Sequence, residues 1–395
     1  MMSDYTLRAR WVLPIDVPPL EGGYVAVSDG VITEVSGSDP GRGPVTDLGD
    51  VVLLPALVNA HTHLEFSGLA KPLGSPGMSL PAWIRTVIAD RGRGDRDAAA
   101  AIVAGLQESA AAGVTTIGEI ATSPTGLYDV EQAPRTLLFQ EAIGFSAGRV
   151  DSVAAEMERR VEAAGGAAGI SPHAPYTVHP QLLTRLIDLA ISKQLPIAMH
   201  LAESREELQL LRDGSGPFQE LLAERSMWDG TAIPCGSRPL DYLRQLARAP
   251  RSLAIHGNYF DAEEIAFAAT HRERMSVVYC PRTHAYFGHE PYPLTAMLAA
   301  GVRVALGTDS RASNPDLNLL SEVQFAATRF PGVDPAVLLR MAMLDAAEAL
   351  GLGDVVGSLT AGKRAELMTI RCDADLHDPY APLFAPGAHL TSPET

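Results

Sequence analysis

Eight short apolar runs, most of them followed by an amphipathic stretch, constrain the fold more than any other feature of this sequence. Many of the stretches are alanine-rich, and one clear amphipathic example is 180–194. The runs lie at 57–63, 114–120, 136–143, 168–174, 197–203, 252–258, 275–281 and 302–310. Eight strand-then-helix units are what a closed parallel barrel needs. The sequence therefore predicts an α/β fold, a TIM-type (β/α)8 barrel.

An open, doubly wound α/β sheet is the alternative arrangement of such units. Nucleotide-binding members of that class carry a GxGxxG or P-loop turn after a strand. No such turn follows any of the eight runs. The barrel is therefore the favoured architecture.

Both ends of the chain have shorter β-type patterns than the middle. The first fifty-odd residues alternate in short runs around Asp29-Gly30, a dipeptide typical of a tight hairpin turn. After the last helical stretch, residues 357–372 return to similar short pieces. We expect residues 1–55 and 354–395 to build one small β-sandwich domain, with the barrel at 56–353.

Charge and cysteine content exclude several classes of partner. The net charge is −16, which disfavours nucleic acids and anionic lipids because clustered cations bind both. No apolar run reaches the roughly 18 residues of a membrane span, and the first residues lack the pattern of a secretory signal. The three cysteines are odd in number and form no CxxC, as is typical of reduced thiols. We expect a cytoplasmic protein that acts on a small molecule.

Imidazoles and carboxylates fall almost only at the carboxyl ends of the eight runs. His61 and His63 end the first run, His200 lies near the end of the fifth, and Asp309 near the end of the eighth. These ends open onto one mouth of a barrel, and residues two apart on a strand point to the same face. Three imidazoles and a carboxylate suit one divalent ion, zinc or iron, and leave a position for a water whose pKa the ion lowers. We predict that this ion is bound by His61, His63, His200 and Asp309.

A second ion is not expected. Two-metal barrel hydrolases commonly bridge their ions with a carbamylated lysine at a middle strand end, and no lysine lies between Lys71 and Lys193. Glu119, near the end of the second run, could bridge two ions in principle. The alternative is that Glu119 supports a ligand without touching metal.

The motifs around these residues resemble the amidohydrolase superfamily, in particular its deaminase and chlorohydrolase branch. They span nearly the whole chain: LLPALVNAHTHLEF (53–66), HAPYTV (173–178), HLAES (200–204), AIHGN (254–258), YCPRTH (279–284) and GTDSRASNPDLNLLSEV (307–323). HTHLEFSG, HAPYTV and HLAESREEL are most similar to aminodeoxyfutalosine deaminases, which hydrolyse a 6-amino group on an adenine-containing nucleoside. Relatives often form homodimers. His284 stands where the family often has Asn, which leaves the exact substrate open.

The resemblance implies roles for three residues in deamination through metal-bound hydroxide. Displacing an amino group from an aromatic ring requires protonation of a ring nitrogen, and a glutamate near the ion does this in zinc deaminases of other folds. We expect Glu203 to shuttle protons, Asp309 to take the proton of the water and His256 to orient it. The alternatives are a surface position for Glu203, and a ligand or structural role for His256.

Four further residues are predicted to contact substrate. His173 is expected to bind the heterocycle or a sugar hydroxyl, with strand capping as the alternative. Glu65, Phe66 and Trp83 are expected to shape the pocket entrance, although the two aromatic side chains could equally belong to the core. The segments 65–95 and 205–240 are the expected lids.

Polar residues in the loops between strands and helices are expected to support the site or to face solvent. Ser310, Ser313 and Asn314 are expected to fix Asp309 and to cap a helix that starts near Asp316. We expect the remaining histidines of the connections to be solvated, namely His179, His271 and His289.

Other functions remain compatible with this framework. The chain could hydrolyse a cyclic amide, an N-acyl group or a carbon–chlorine bond instead of removing an amino group. A non-catalytic scaffold on the same fold is a further alternative, and the complete set of candidate ligands disfavours it.

Overall fold

The computed structural model describes residues 4–94, 97–373, 375 and 377–393. Its strands, in chain order, are β1 (Tyr5–Arg8), β2 (Trp11–Val12), β3 (Leu20–Glu21), β4 (Tyr24–Ser28), β5 (Val31–Ser36), β6 (Val45–Asp47), β7 (Val51–Pro55), β8 (Leu57–Thr62), β9 (Val114–Ala121), β10 (Arg135–Ala142), β11 (Ala168–Pro172), β12 (Pro196–Leu201), β13 (Arg251–His256), β14 (Met275–Tyr279), β15 (Val304–Leu306) and β16 (Leu367–Arg371).

The α-helices lie mainly between the strands from β8 onward. They are α1 (Leu80–Arg91), α2 (Ala98–Ala111), α3 (Val150–Ala164), α4 (Pro180–Lys193), α5 (Arg205–Asp213), α6 (Pro217–Glu224), α7 (Pro239–Leu246), α8 (Ala262–Thr270), α9 (Pro281–Phe287), α10 (Leu294–Ala300), α11 (Leu319–Arg329), α12 (Pro335–Met341), α13 (Leu344–Ala349) and α14 (Ala381–Phe384). No helix in the described part of the chain is long and apolar enough to cross a membrane.

Strands β8 to β15 form one eight-stranded sheet in which each strand pairs in parallel with the next along the chain. A parallel bridge between Thr62 and Asp309 joins the last strand region to the first. Each of the eight predicted runs overlaps one of these strands, with bounds that differ by a few residues. The sheet is a TIM-type barrel, as predicted, and its carboxyl-end mouth is where catalytic residues gather in such folds.

Helix α4 illustrates why the connecting segments are helical. Pro180 occupies its first turn, where a missing N–H costs nothing, and the His179 ring accepts a hydrogen bond from the backbone N–H of Gln181. Its buried residues recur at helical spacing, as Leu182, Leu186 and Ala190 do. The helix therefore covers the barrel wall with one apolar face.

Two smaller four-stranded sheets flank the barrel. Their strand orders are β5-β4-β1-β6 and β16-β7-β2-β3, so the second sheet contains strands from both ends of the chain. Asp29 and Gly30 have positive φ angles of 50° and 75°, as the predicted hairpin turn between β4 and β5 requires. Leu7 and Val25 of the first sheet share a buried apolar cluster with Leu53 of the second. The two sheets thus have a common core.

Candidate active site

Four side chains from three strands meet at the carboxyl end of the barrel. His61 Nε2 lies 3.7 Å and His63 Nε2 lies 3.8 Å from Asp309 Oδ1, and His63 Nε2 lies 3.3 Å from His200 Nε2. Nitrogens of His61, His63 and His200 lie within 4.8 Å of one another, and so do ligand atoms of His61, His256 and Asp309. The structure thus brings together all four residues predicted to bind the ion, with His256 beside them.

Several ring nitrogens in this cluster are free to act as metal ligands. His200 Nδ1 lies 2.9 Å from the carbonyl oxygen of His173, a contact that fixes the proton on Nδ1 and leaves Nε2 free as a ligand. Neither ring nitrogen of His61 has a hydrogen-bond partner in the described part of the chain, although the side chain is fully buried. Buried polar atoms without partners are costly. These orphaned nitrogens and the neighbouring carboxylate fit a divalent ion.

Three residues at the site adopt the left-handed backbone region. Ala202, His256 and Asp309 follow or end strands β12, β13 and β15, with φ angles of 53°, 71° and 56°. Such angles cost about 1–3 kcal/mol for a non-glycine residue, and they cluster at functional sites. At each of these positions the backbone turns sharply at the end of a strand, next to the side chains of the cluster.

Hydrogen bonds from the following loop hold the Asp309 carboxylate. The backbone N–H of Ser310 donates to Oδ1 at 2.7 Å, and the Ser313 hydroxyl donates to Oδ2 at 3.3 Å. Burial raises the pKa of Asp309, but His61, His256 and the Ser310 N–H outweigh it, so the pKa lies below its ordinary value. The carboxylate is therefore charged at neutral pH.

The helix after this loop begins later than its predicted start near Asp316. Helix α11 begins at Leu319, and its cap is Asn318, whose side chain accepts from the backbone N–H of Ser321. Asn314 instead donates to the Thr308 carbonyl at 2.7 Å and to the Glu322 carboxylate at 2.6 Å. Asn314 therefore does not cap the helix; it ties the loop to the Glu322 side chain in the first turn of α11.

Glu203 lies inside the site and not on the surface. Its Oε1 atom is 3.5 Å from His256 Nε2, and both side chains are buried. Burial raises the pKa of Glu203 well above its ordinary value, and the charges of Asp309 and Glu207 raise it further. A carboxyl whose pKa is raised by burial is suited to general acid catalysis.

The backbone on both sides of Glu203 is fixed by buried side chains. Glu207 accepts hydrogen bonds from the backbone N–H groups of Ala202 at 2.8 Å and Glu203 at 2.9 Å. Asn258 donates to the Glu203 carbonyl at 2.9 Å. These bonds hold the turn after β12 in the conformation that points the Glu203 side chain towards His256.

Four imidazoles of the site, those of His63, His173, His200 and His256, are neutral at pH 7. Burial lowers the pKa of His63, His200 and His256 well below the ordinary value, and neighbouring imidazoles lower it further. Burial also lowers the pKa of His173, to about 4. Neutral imidazole is the form that binds metal ions.

A cavity of about 220 Å³ opens from this cluster. His63, His200, Glu203, His256 and Asp309 form part of its wall. Eight further wall residues are apolar side chains of α1 and α6, within the two segments expected to act as lids: Leu80, Trp83, Ile84, Val87, Ile88, Phe218, Leu221 and Leu222. The cavity therefore has a polar end at the strand termini and an apolar arm between two helices.

The four predicted substrate residues have different positions. His173, Phe66 and Trp83 all line the cavity. Glu65 is not among the described residues that line it, and its carboxylate accepts a hydrogen bond from Arg91, which does line it. Phe66 and Trp83 also pack in a small apolar cluster with Ala312, so they contribute to both core and cavity.

Sequence analysis missed three charged residues of the cavity, Glu141, Arg91 and Arg225. Glu141 lies near the carboxyl end of β10, so the rule that identified the other polar strand ends also applied to it. Arg91 is the last residue of α1, and only the packing of that helix over the barrel mouth brings it to the site.

Three other expectations are resolved by packing. Both carboxylate oxygens of Glu119 accept from the backbone N–H of Leu64, at 3.1 and 3.0 Å, and Tyr128 lies 3.3 Å away, so this buried group supports the first strand end. His284 packs against Tyr279 and Tyr292 and is absent from the described cavity lining. The expectation of a solvated His179 is wrong, because the ring is buried where it caps α4.

Comparison with known proteins gives one family match, the amidohydrolase family, over residues 52–385. Among similar sequences, the aminodeoxyfutalosine deaminase of Deinococcus radiodurans is 35% identical over 318 residues, which cover 76% of this chain and 73% of that protein. A 5-methylthioadenosine/S-adenosylhomocysteine deaminase of Moorella thermoacetica is 30% identical over 403 aligned residues, covering 96% and 87%.

Solved structures show the same architecture. An adenosine deaminase from Xanthomonas campestris with bound zinc is 27% identical, with a TM-score of 0.80 over 98% of this chain and 89% of that one. A Helicobacter pylori aminofutalosine deaminase in complex with methylthio-coformycin has a TM-score of 0.83, covering 96% and 95%. At 22% identity, the second likeness bears on the fold alone.

Proposed function

Because this chain belongs to the amidohydrolase family, we propose that it is a metal-dependent aminohydrolase that removes an exocyclic amino group as ammonia. The substrate is an adenine-like heterocycle, most simply a nucleoside such as aminodeoxyfutalosine. One observation carries this proposal: the buried Glu203 carboxyl, whose pKa is raised by burial, lies 3.5 Å from His256 beside a cluster of candidate metal ligands. Hydrolysis of an amide does not need an acid that protonates a ring nitrogen, whereas deamination of a heterocycle does.

The proposed cofactor is one zinc or iron ion held by His61, His63, His200 and Asp309. The convergence of their ligand atoms and the orphaned nitrogens of His61 support this assignment. When bound, such an ion supplies Lewis-acid activation of a water molecule near neutral pH.

The protein side chains then move the protons. Asp309 accepts one proton as the water oxygen adds to the ring carbon, and Glu203 donates a proton to the adjacent ring nitrogen. His256 orients the attacking water from its position beside Glu203. The carbon–nitrogen bond breaks as the amino group takes the proton held by Asp309 and leaves as ammonia. The remaining hydroxyl proton returns Glu203 to its acid form while the carbonyl forms.

The cavity shape supports a substrate with an apolar extension. Its polar end holds the reacting groups, and its apolar arm lies between α1 and α6. A nucleoside places its base and its 5′ substituent at opposite ends of the sugar. We assign the base to the polar end and an apolar 5′ substituent to the arm, near Trp83 and Leu221.

Ammonia release from a panel of purine nucleosides, pterins and triazines tests the proposed function. The expected result is stoichiometric ammonia from adenine nucleosides, fastest with those that carry an apolar 5′ group. Release of chloride from a chlorotriazine, or of a carboxylate from a cyclic amide or N-acyl compound, without ammonia from any amino compound would contradict it.

The organisation of the whole chain is part of the proposal. We assign a β-sandwich domain to residues 1–55 with 354–395 and the catalytic barrel to 56–353; the shared core of the two small sheets supports this division. Residues 1–3, 95, 96, 374, 376, 394 and 395 of these ranges lie outside the described residues. The unpaired state of Cys235, Cys280 and Cys372 supports a cytoplasmic location. A homodimer is the proposed assembly.

A further inference from the structure

The Glu141 carboxylate is a cavity-lining group that the proposed proton transfers do not use. It lies near the carboxyl end of β10, and only 8% of its side chain is exposed. None of the described residues donates a hydrogen bond to it. The nearest ring nitrogen, His173 Nε2, is 3.9 Å from Oε1, which is beyond hydrogen-bond distance. A buried carboxylate in a ligand cavity with open acceptor positions points to a ligand that donates hydrogen bonds.

The two nearby guanidinium groups bind elsewhere. Arg160 donates to the backbone carbonyls of Glu141 at 2.9 Å and Ala121 at 2.7 Å, and Arg91 donates to Glu65. Burial raises the pKa of Glu141, and the positive charges of Arg91 and Arg160 offset only part of this effect. Because both guanidinium groups donate to other acceptors, both oxygens of the Glu141 carboxyl group stay available to a ligand on the cavity side.

His173 presents a second open position beside Glu141. Its Nδ1 atom is 2.8 Å from the Thr177 hydroxyl, which also contacts the backbone of Ala174. The other ring nitrogen, Nε2, is open on the side of Glu141. If Nδ1–H donates to the Thr177 hydroxyl, Nε2 is a hydrogen-bond acceptor; in the other tautomer, Nε2–H is a donor. A hydroxyl group suits either tautomer because it both donates and accepts, whereas a second carboxylate would be repelled by Glu141.

We propose that Glu141 is a specificity-determining residue that binds the vicinal hydroxyls of the substrate's ribose together with His173. This inference rests on the proposed function, which supplies the nucleoside. The centroid of the His173 ring lies 4.9 Å from that of the His200 ring, and Glu141 lies beside His173. The His173 ring is therefore the group between Glu141 and the candidate metal ligand His200. The sugar of an adenine nucleoside is likewise one ring away from the carbon that bears the amino group.

Kinetics with adenosine and 2′,3′-dideoxyadenosine test this assignment. A hydrogen bond to a charged group contributes about 1.5–3 kcal/mol, so the wild-type kcat/KM for adenosine is expected to exceed that for the dideoxy compound about 10- to 100-fold. Glu141→Leu reduces this preference at least several-fold, because KM rises for adenosine much more than for the dideoxy compound. Glu141→Gln, which retains one acceptor oxygen, shows an intermediate preference.

Controls separate substrate binding from folding and from the proposed function. Glu158→Gln, on the exposed side of α3, keeps the wild-type preference. Metal content and thermal unfolding verify each variant, and the Gln variant carries the test if the Leu variant does not fold. A wild-type preference retained by the folded Glu141 variants, or its absence from the wild type, overturns the assignment while leaving deamination intact. Absence of ammonia release from both nucleosides overturns this inference, and its absence from every amino compound of the panel overturns the proposed function as well.

Discussion

The backbone N–H of Asp309 donates a 3.1 Å hydrogen bond to the carbonyl oxygen of His61. This bond joins the last strand region of the barrel to the first, and it accompanies the 3.7 Å approach of Asp309 Oδ1 to His61 Nε2. Gly307 allows this approach, because a Cβ there would lie 2.9 Å from the His61 carbonyl oxygen and the His61 Cβ. Closure of the barrel and assembly of the candidate metal site thus depend on the same contacts.

Glu203→Gln tests the proton shuttle. Glutamine keeps the size of the side chain but has no acidic proton to give to the ring nitrogen. We expect kcat for ammonia release to fall about 10²- to 10⁴-fold, with bound metal and substrate KM close to wild type. Metal analysis with steady-state kinetics measures this, and a kcat within threefold of wild type, on the order of 1 kcal/mol or less, would remove Glu203 from the proposed mechanism.

Glu207→Gln tests the support of the Glu203 turn. The amide nitrogen would face one of the two backbone N–H groups that the carboxylate now accepts, at Ala202 or Glu203. Losing one such bond costs about 1–3 kcal/mol, so we expect a fall in kcat of about tenfold or more, with little change in KM or metal content. The matched control is Glu206→Gln, whose side chain is only half-buried. Equal kcat values for the two variants would contradict a positioning role for Glu207.

Trp83→Ala tests the apolar arm. Burial of a large apolar side chain contributes about 1.5–3 kcal/mol, and part of that is shared with a substrate that fills the arm. We expect KM to rise about tenfold for 5′-methylthioadenosine and little for adenosine. Trp11→Ala, in the small sheet that contains β2, is the control and leaves both KM values unchanged. An equal rise for both nucleosides in the Trp83 variant would argue against this assignment.

Asp345, which is not part of the candidate site, is expected to make the free energy of unfolding depend on pH. Burial raises its pKa to about 6 from the ordinary 3.8, although Arg340 lies 3.0 Å from its Oδ1. The folded state therefore binds the proton more tightly, so this stabilisation is complete below pH 3.8 and is lost as pH rises through 6. Between pH 5 and 8 we expect the free energy of unfolding to fall about 1–2 kcal/mol more for wild type than for Asp345→Asn. Denaturant unfolding at both pH values measures this, and parallel curves would contradict it.

The barrel and the polar strand ends were predictable because their signals are local. Apolar runs define the strands, and the positions of His61, His200 and Asp309 within them place the side chains at one mouth. The hairpin at Asp29-Gly30 was predictable for the same reason, since two positive φ angles favour that dipeptide.

What the sequence could not provide depends on tertiary packing. The apolar arm forms only because α1 and α6 lie over the barrel mouth, with the Arg85 guanidinium bound to the Glu224 carboxylate at 2.9 and 2.8 Å. The start of α11 shifted by three residues because Asn318, and not the earlier loop, supplies the cap. Glu141 was detectable from its strand position, but its open carboxylate becomes evident only from the surrounding contacts.

Metal stoichiometry of the purified protein tests the central claim most directly. Elemental analysis of wild type and of folded Asp309→Ala is expected to give about one zinc or iron ion per chain in the wild type, because three imidazoles and a carboxylate fill a divalent site. The variant is expected to retain only a small fraction and to release no ammonia. A wild-type chain without stoichiometric metal, or an Asp309→Ala variant with full metal content and activity, would contradict the convergence of these four side chains on one cation.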